Sequence, residues 1–423
     1  MHIRWILCLM LAVGLSSAMP APLQKTDETA LLETVDEMVQ VTARLRDLEP
    51  KAPILKGVKS RDEITQYLNE RVQEDYDRLR LQKEGETLKR LGLIPSDLDY
   101  MDFILKLLTE QVGGYYDPEK KTLYLASWLP VEEQKPIMVH ELTHALQDQY
   151  FDIQEILEKH RNLENDDCVL AHQALFEGEA MVLMLQYILE PMKRHFSELP
   201  DLAFIMRAQM STMQSQFAVF ESAPIYVQEM LLFPYGYGAS FLQQAWKQNP
   251  SWQFVNKIYS DLPASTEQII HPEKYFTDRD EPIPVETDEY AARLGKSWNI
   301  AYKNVLGEFS LSLLLRLHLT DDRAMKSVRG WGGDRILLLE NKSGENAVLV
   351  NTVWDSEPDS EKFFAAMDEW FRQHYPDSVR SNESPTGFSI VKNGEFHTIR
   401  REGSSVRFLI GLPETDRMKL KEF

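Results

Sequence analysis

Apolar residues recur at three- and four-residue intervals over most of the first 110 positions, the signature of amphipathic helices. From Thr26 to Leu48 the apolar face is Leu31, Leu32, Val35, Met38, Val39 and Val41, and Pro50 and Pro53 stop the run. Ser60-Arg61-Asp62-Glu63 has capping-box form and predicts a second helix running towards Arg90, ended by Gly92 and Pro95. A third helix is expected over residues 96–111, with Leu98, Met101, Ile104, Leu105 and Leu108 on one side. The period then changes to two. GGYYDPEKKTLYLA (113–126) predicts a hairpin turning at Asp117-Pro118. A helix follows, expected to start at Pro136 and to contain VHELTHALQDQ (139–149).

Beyond a break at 162–167, residues 168–189 are apolar around most of the helical circumference, which predicts a buried helix ended by Pro191. Helices are expected at 201–220 and 238–248, with irregular chain at 263–276 and 278–290. The last third mixes periods: helices at 302–319 and 358–374, the stretch GWGGDR (330–335), and strands at 335–340, 347–353, 388–392, 396–400 and 405–411. The expected class is α+β, mostly helical, with a small C-terminal α+β unit.

Composition narrows the partners. The chain has 423 residues, 43% hydrophobic, and a formal charge of −20. That balance argues against a general nucleic-acid binder, which needs basic surface for phosphates. Arg4 precedes an apolar run from Trp5 to Leu15, and small residues end at Ala18. This has the form of a cleaved signal peptide, so a secreted or periplasmic location is expected, with no stable membrane span after cleavage. Cys8 would leave with the signal, and Cys168 alone cannot form an intrachain disulfide. The expected organisation is 1–18 signal, 19–112 N-terminal helical region, 113–290 core, and 291–423 C-terminal helix plus α+β unit.

The candidate chemistry lies in HELTH (140–144). His140 and His144 are one helical turn apart, so both imidazoles share a face. Two imidazoles at this spacing fit the H-E-x-x-H zinc pattern, in which the carboxylate after the first ligand serves as general base. Glu141 takes that place. A catalytic zinc needs a third protein ligand and an open position. Glu177 and Glu179 are the candidates, and about 200° of helix separates them, so only one can face the metal. Glu177 shares its face with Ala171, Ala174 and Gly178. Small residues there are expected to let this helix approach the HELTH helix, which favours Glu177 as the third ligand.

HELTH followed by EGEA (177–180) resembles the gluzincin metallopeptidases, the group of thermolysin and the zinc aminopeptidases. The resemblance implies a zincin-like catalytic core, a Zn²⁺ cofactor held by His140, His144 and Glu177, and a peptide or protein substrate. The implied reaction is peptide-bond hydrolysis through a zinc-activated water, with Glu141 as general base. A thermolysin-like alignment would place the ligand at Glu179 instead, but Leu183 stands where that pattern has aspartate. PYGYGASFL (234–242) resembles the aminopeptidase Y-x-K-G segment, the alternative being a glycine-punctuated turn before a helix. This makes Tyr235 the candidate oxyanion stabiliser, with Tyr237 in the place of the lysine. His271, in TEQIIHPEKY (266–275), is the rival, while His172 fits no ligand spacing. Zincins also carry an edge strand over the cleft, for which Thr122–Ala126 is the candidate. The order of these motifs is also similar to a little-characterised group of secreted bacterial metallopeptidase-like proteins. No G-A-M-E-N-type motif is present, which points to endopeptidase action. The alternatives are a catalytically inactive zincin-like binding protein and a zinc amidase acting on cell-wall peptides.

Overall fold

The computed structural model describes residues 28–75, 78–111, 113–159, 163–213 and 217–420; the expected signal segment lies outside them. The protein is α+β and mostly helical, 56% helix against 19% strand, with the strands concentrated in a C-terminal sheet. In chain order the first elements are α1 (Glu28–Arg46), β1 (Leu55–Lys59), α2 (Arg61–Asp75), α3 (Arg78–Arg90), α4 (Tyr100–Gln111), β2 (Gly114–Asp117) and β3 (Thr122–Ala126). The capping box at the head of α2 forms as the sequence suggests: the Ser60 backbone N–H donates to Glu63 Oε2 at 2.8 Å, and the Glu63 N–H to Ser60 Oγ at 3.3 Å.

The expected hairpin is β2–β3, but its environment differs from the expectation. β1 pairs in parallel with β3, giving the order β1-β3-β2. Thr122–Ala126 is therefore the central strand, and β2 is an edge. The sequence of β1, LKGVK, carries two apolar residues and no clear alternation, so nothing local announced it.

The central helices are α5 (Val131–Phe151), α6 (Ile153–Lys159), α7 (Asp166–Leu189), α8 (Leu202–Met213), α9 (Ala218–Glu221), α10 (Ile225–Gln248), α11 (Trp252–Ile258), α12 (Thr266–Ile270), α13 (Glu273–Phe276) and α14 (Asp288–Leu294). α5 starts at Val131 behind Pro130, and Pro136 falls within its second turn rather than at its start. α10 runs straight through PYGYG, so that stretch is helix and not a turn. Residues 263–276 and 278–290, expected to be irregular, contain the short helices α12 and α13 and the start of α14. Together with the residues that follow it, α7 is long and apolar enough to cross a membrane (Asp166–Met192), yet 78% of its most apolar window is buried inside the protein.

The C-terminal part comprises β4 (Trp298–Asn304), α15 (Gly307–Arg316), α16 (Asp321–Val328), β5 (Trp331–Asn341), β6 (Asn346–Trp354), α17 (Glu357–His374), β7 (Arg380–Ser384), β8 (Gly387–Lys392), β9 (Glu395–Glu402) and β10 (Ser405–Pro413). The seven strands form one antiparallel sheet in the order β4-β5-β6-β10-β9-β8-β7. Ile336 and Leu338 face the main core while Leu337 and Leu339 face a second cluster with Trp298 and Leu294. Both faces of the inner strands are therefore covered, which is why they read as continuous apolar runs. Residues 302–304, expected to begin a helix, are instead the end of the edge strand β4, and GWGGDR falls at the start of β5.

Candidate metal centre

α1 packs through Leu31, Val35 and Met38 on Met138, Val139 and Leu142 of α5 and Leu123 and Leu125 of β3. Met138 and Leu142 lie about 160° to 200° around the helix from His140, so the imidazoles project from the opposite side. α7 crosses that side. Its Glu177 Oε2 lies 3.1 Å from His140 Nε2 and 3.4 Å from His144 Nε2, and the two Nε2 atoms are 3.2 Å apart. Both histidines are buried and Glu177 is partly exposed.

Donors held tetrahedrally at zinc–nitrogen and zinc–oxygen bond lengths would be about 3.3 Å from one another. The three observed separations bracket that value. The electrostatics also ask for positive charge. Burial alone would push the His144 imidazole down, but the Glu177 carboxylate beside it, helped by Glu141 and Gln147, raises it to about 9. Burial would raise Glu177, but the His144 charge and the hydrogen bonds from both imidazoles hold it at about 2. A neutral–neutral–anionic donor set that pulls in a proton when alone is one that a divalent cation satisfies.

The remaining sequence candidates fall in different places. Glu179 points away from the imidazoles. It is fully buried against Arg46 of α1, with Arg46 Nε 2.6 Å from Glu179 Oε1, and accepts from the Tyr259 hydroxyl at 2.7 Å. The small-residue face of α7 serves a different neighbour from the one expected. Ala174 and Gly178 meet Gly238 of α10, not the HELTH helix. Tyr235, on the buried face of α10, lies beside the site, its ring centroid 6.2 Å from that of His140. Tyr237 is turned elsewhere and accepts from Arg207 at 3.3 Å. His271 is bonded to Glu308 of α15 at 3.0 Å, and His172 sits against Cys168.

Glu141 is positioned from the hairpin. The Tyr116 backbone N–H, on edge strand β2, donates to Glu141 Oε2 at 2.7 Å. The Tyr116 hydroxyl donates to Asp148 Oδ2 at 2.8 Å, which is also paired with Lys121 at 2.7 Å. Glu141 and Asp148 are seven residues apart on one face of α5, so Tyr116 is fastened along two turns of the helix. This role of β2 was not legible in the sequence. Another missed residue, Gln147, accepts from His144 Nδ1 at 2.9 Å, three residues on along the same helix face.

A second group of carboxylates, Glu267, Asp280 and Asp355, also converges. The Lys274 ammonium already fills it, 2.6, 2.7 and 2.8 Å from the three. It is an internal ion-pair cluster joining α12 and α13 to the end of β6.

Comparison with known proteins adds little chemistry. A domain of unknown function, DUF8575, matches residues 298–420, the segment from β4 onward. No curated protein matches the chain. Among solved structures, one described as "a putative hydrolase with a novel fold" from Chloroflexus aurantiacus aligns over 63% of this chain and 94% of its own, at 19% identity and a TM-score of 0.38. Likeness at that level assigns neither fold nor function.

Proposed function

We propose that the protein is a secreted, zinc-dependent metallopeptidase of gluzincin type, acting as an endopeptidase. The observation that carries this reading is the convergence of His140 Nε2, His144 Nε2 and Glu177 Oε2 at separations of 3.1, 3.4 and 3.2 Å beside the Glu141 carboxylate. Two imidazoles and one carboxylate are a donor set of catalytic zinc sites, which leave a position open for substrate or water. Zinc bound there would supply Lewis acidity and ease deprotonation of a water at neutral pH.

The chain's own residues divide the remaining work. Glu141 accepts the proton from the attacking water and passes it to the departing amine. Its bond from the Tyr116 N–H fixes one carboxylate oxygen and leaves the other for that transfer. The same bond ties the base to β2, an edge strand of the kind that an extended peptide can join by backbone pairing. Tyr235, whose ring lies next to His140, is the candidate to stabilise the developing oxyanion. The apolar run at residues 5–15, ahead of Ala18, motivates the secreted location.

The test is Glu141→Gln, which keeps side-chain shape and all three metal donors. Zinc stoichiometry should match the wild type, while cleavage of an unstructured peptide falls by about 10² to 10⁴. Cleavage undiminished in the variant would overturn the assignment of the base. A wild type that binds zinc and cleaves no peptide would favour a binding protein or an amidase over a peptidase.

A further inference from the structure

We propose that Gln147 is a positioning residue for the metal centre, oriented by Tyr259 and the buried Glu179–Arg46 ion pair, so that helix α1 forms part of the support of the site. The proposal rests on the metal-centre reading above. It follows from a directional chain of hydrogen bonds. The Gln147 amide nitrogen donates to the Phe176 carbonyl at 3.0 Å and to the Tyr259 hydroxyl oxygen at 2.9 Å. Both amide hydrogens are thereby used. A flipped amide would set its oxygen against the Phe176 carbonyl, which has no proton to give. The Gln147 oxygen is therefore the atom that faces His144 Nδ1, 2.9 Å away. Nδ1 must carry the proton, and the Nε2 lone pair is left for the metal.

The direction is set further along the chain. The Tyr259 hydroxyl has one proton, and it goes to Glu179 Oε2 at 2.7 Å, so towards Gln147 the hydroxyl can only accept. Glu179 is held as an acceptor by Arg46, the last residue of α1. Arg46 also donates to Asn256 Oδ1 at 2.6 Å, and its guanidinium lies 4.6 Å from the centre of the Trp252 ring. Arg46, Gln147 and Glu179 are fully buried and Tyr259 nearly so, so no bulk water is at hand to replace a lost partner.

The chain also joins the two ligand-bearing helices. Gln147 belongs to α5, which carries His140 and His144, and its Phe176 partner is the residue before Glu177 on α7. One amide thus fixes the tautomer of one ligand and the helical turn that presents another. An N-terminal helix that merely masked the site would lie over the imidazoles. α1 instead packs on the opposite face of α5, and this chain runs from its last residue round to His144.

The experiment measures Zn²⁺ affinity of the full-length protein by competition with a chromogenic chelator, together with the visible spectrum of the Co²⁺ form. Gln147→Leu should weaken Zn²⁺ binding by about 10- to 100-fold. Tyr259→Phe removes one oxygen and keeps the ring stacked on Phe151; it should weaken binding less than Gln147→Leu, but measurably. A merely structural role would lower unfolding stability in these variants and leave Zn²⁺ affinity and the Co²⁺ spectrum unchanged, which would overturn the proposal. Tyr259→Phe with the Zn²⁺ affinity of the wild type would overturn it as well. A wild type that takes up no Zn²⁺ would overturn the metal centre itself, a result separable from the other two.

Discussion

In the interior of a helix, replacing glycine by alanine ordinarily stabilises by about 0.8–1.0 kcal/mol. At Gly178 the structure requires the opposite sign. A methyl group there would lie 2.2 Å from the carbonyl carbon of Gly238, 2.5 Å from its oxygen and 2.7 Å from its Cα. All three are backbone atoms of α10, and none can rotate aside. Reaching an ordinary contact of 3.4 Å would take a separation of α7 and α10 by about 1 Å, since 3.4 − 2.2 = 1.2. Overpacking costs about 1–3 kcal/mol, and against backbone that cannot yield the upper end applies, which outweighs the propensity gain of about 1 kcal/mol and leaves Gly178→Ala about 2 kcal/mol less stable. Gly236→Ala on α10 is the internal control, because its methyl would meet nothing closer than 3.7 Å and should stabilise by up to about 1 kcal/mol. Equilibrium urea unfolding followed by circular dichroism compares the two directly. Because Gly178 lies between Glu177 and Glu179, its alanine variant should also bind Zn²⁺ more weakly. If Gly178→Ala proves as stable as Gly236→Ala, the close approach of the two helices is wrong.

Two further outcomes are expected. Burial, with the charges of Asp334 and Glu308 added, raises Asp167 to about 8 against the hydrogen bonds from Thr266. The folded state therefore keeps a proton that the unfolded chain loses near pH 4, and stability falls as pH rises between about 4 and 8. Asp167→Asn should gain on the wild type across that window and hold a constant advantage above it; a pH-independent difference in unfolding free energy would refute the argument. At the metal centre, Glu177→Gln should lose stoichiometric zinc. Glu179→Gln keeps all three donors and should retain it, with an affinity loss no larger than that of Gln147→Leu but with Arg46 left as an unpaired buried charge, worth about 3–5 kcal/mol of stability. Metal analysis and urea unfolding of the pair separate the two carboxylates, and zinc loss from the Glu179 variant alone would reverse the assignment.

What could be read from the sequence follows the range of the forces involved. HELTH is a local pattern on one helix, so its residues could be placed before any fold was known. The inner strands of the C-terminal sheet were legible because burial on both faces makes apolar runs such as RILLL and AVLV. β1 was not, because its position depends on parallel pairing with β3, more than 60 residues later. β4 was missed, and its last residues were absorbed into a helix, because Trp298, Ile300 and Tyr302 give only a short alternation before the apolar face of α15. PYGYG looked like a turn for a physical reason that is sound in isolation, since glycine and proline usually break helices. The close packing of α10 on α7 overrides it. A methyl at Gly238 would lie 2.0 Å from the Ala174 carbonyl oxygen, so the glycine is required by proximity and not by backbone conformation.

The same reasoning explains why the choice of Glu177 had a sound basis in helical geometry and an incorrect one in packing. Residues 177, 178 and 179 leave α7 at steps of about 100°, so each faces a different neighbour. Glu177 meets the imidazoles of α5, Gly178 meets the backbone of α10, and Glu179 meets Arg46 of α1 and Tyr259. A helix engaged on three sides has little solvent face to mark its orientation, and the apolar residues around these three fill the gaps between neighbours. The small residues near Glu177 were therefore assigned to α5 when they belong to α10. The carboxylate pair itself carried the information that mattered. Two acids nearly opposite on a buried helix must each find a positive partner. Arg46 occupies one side, and His140 and His144 lie against the other, where a bound cation would supply the charge.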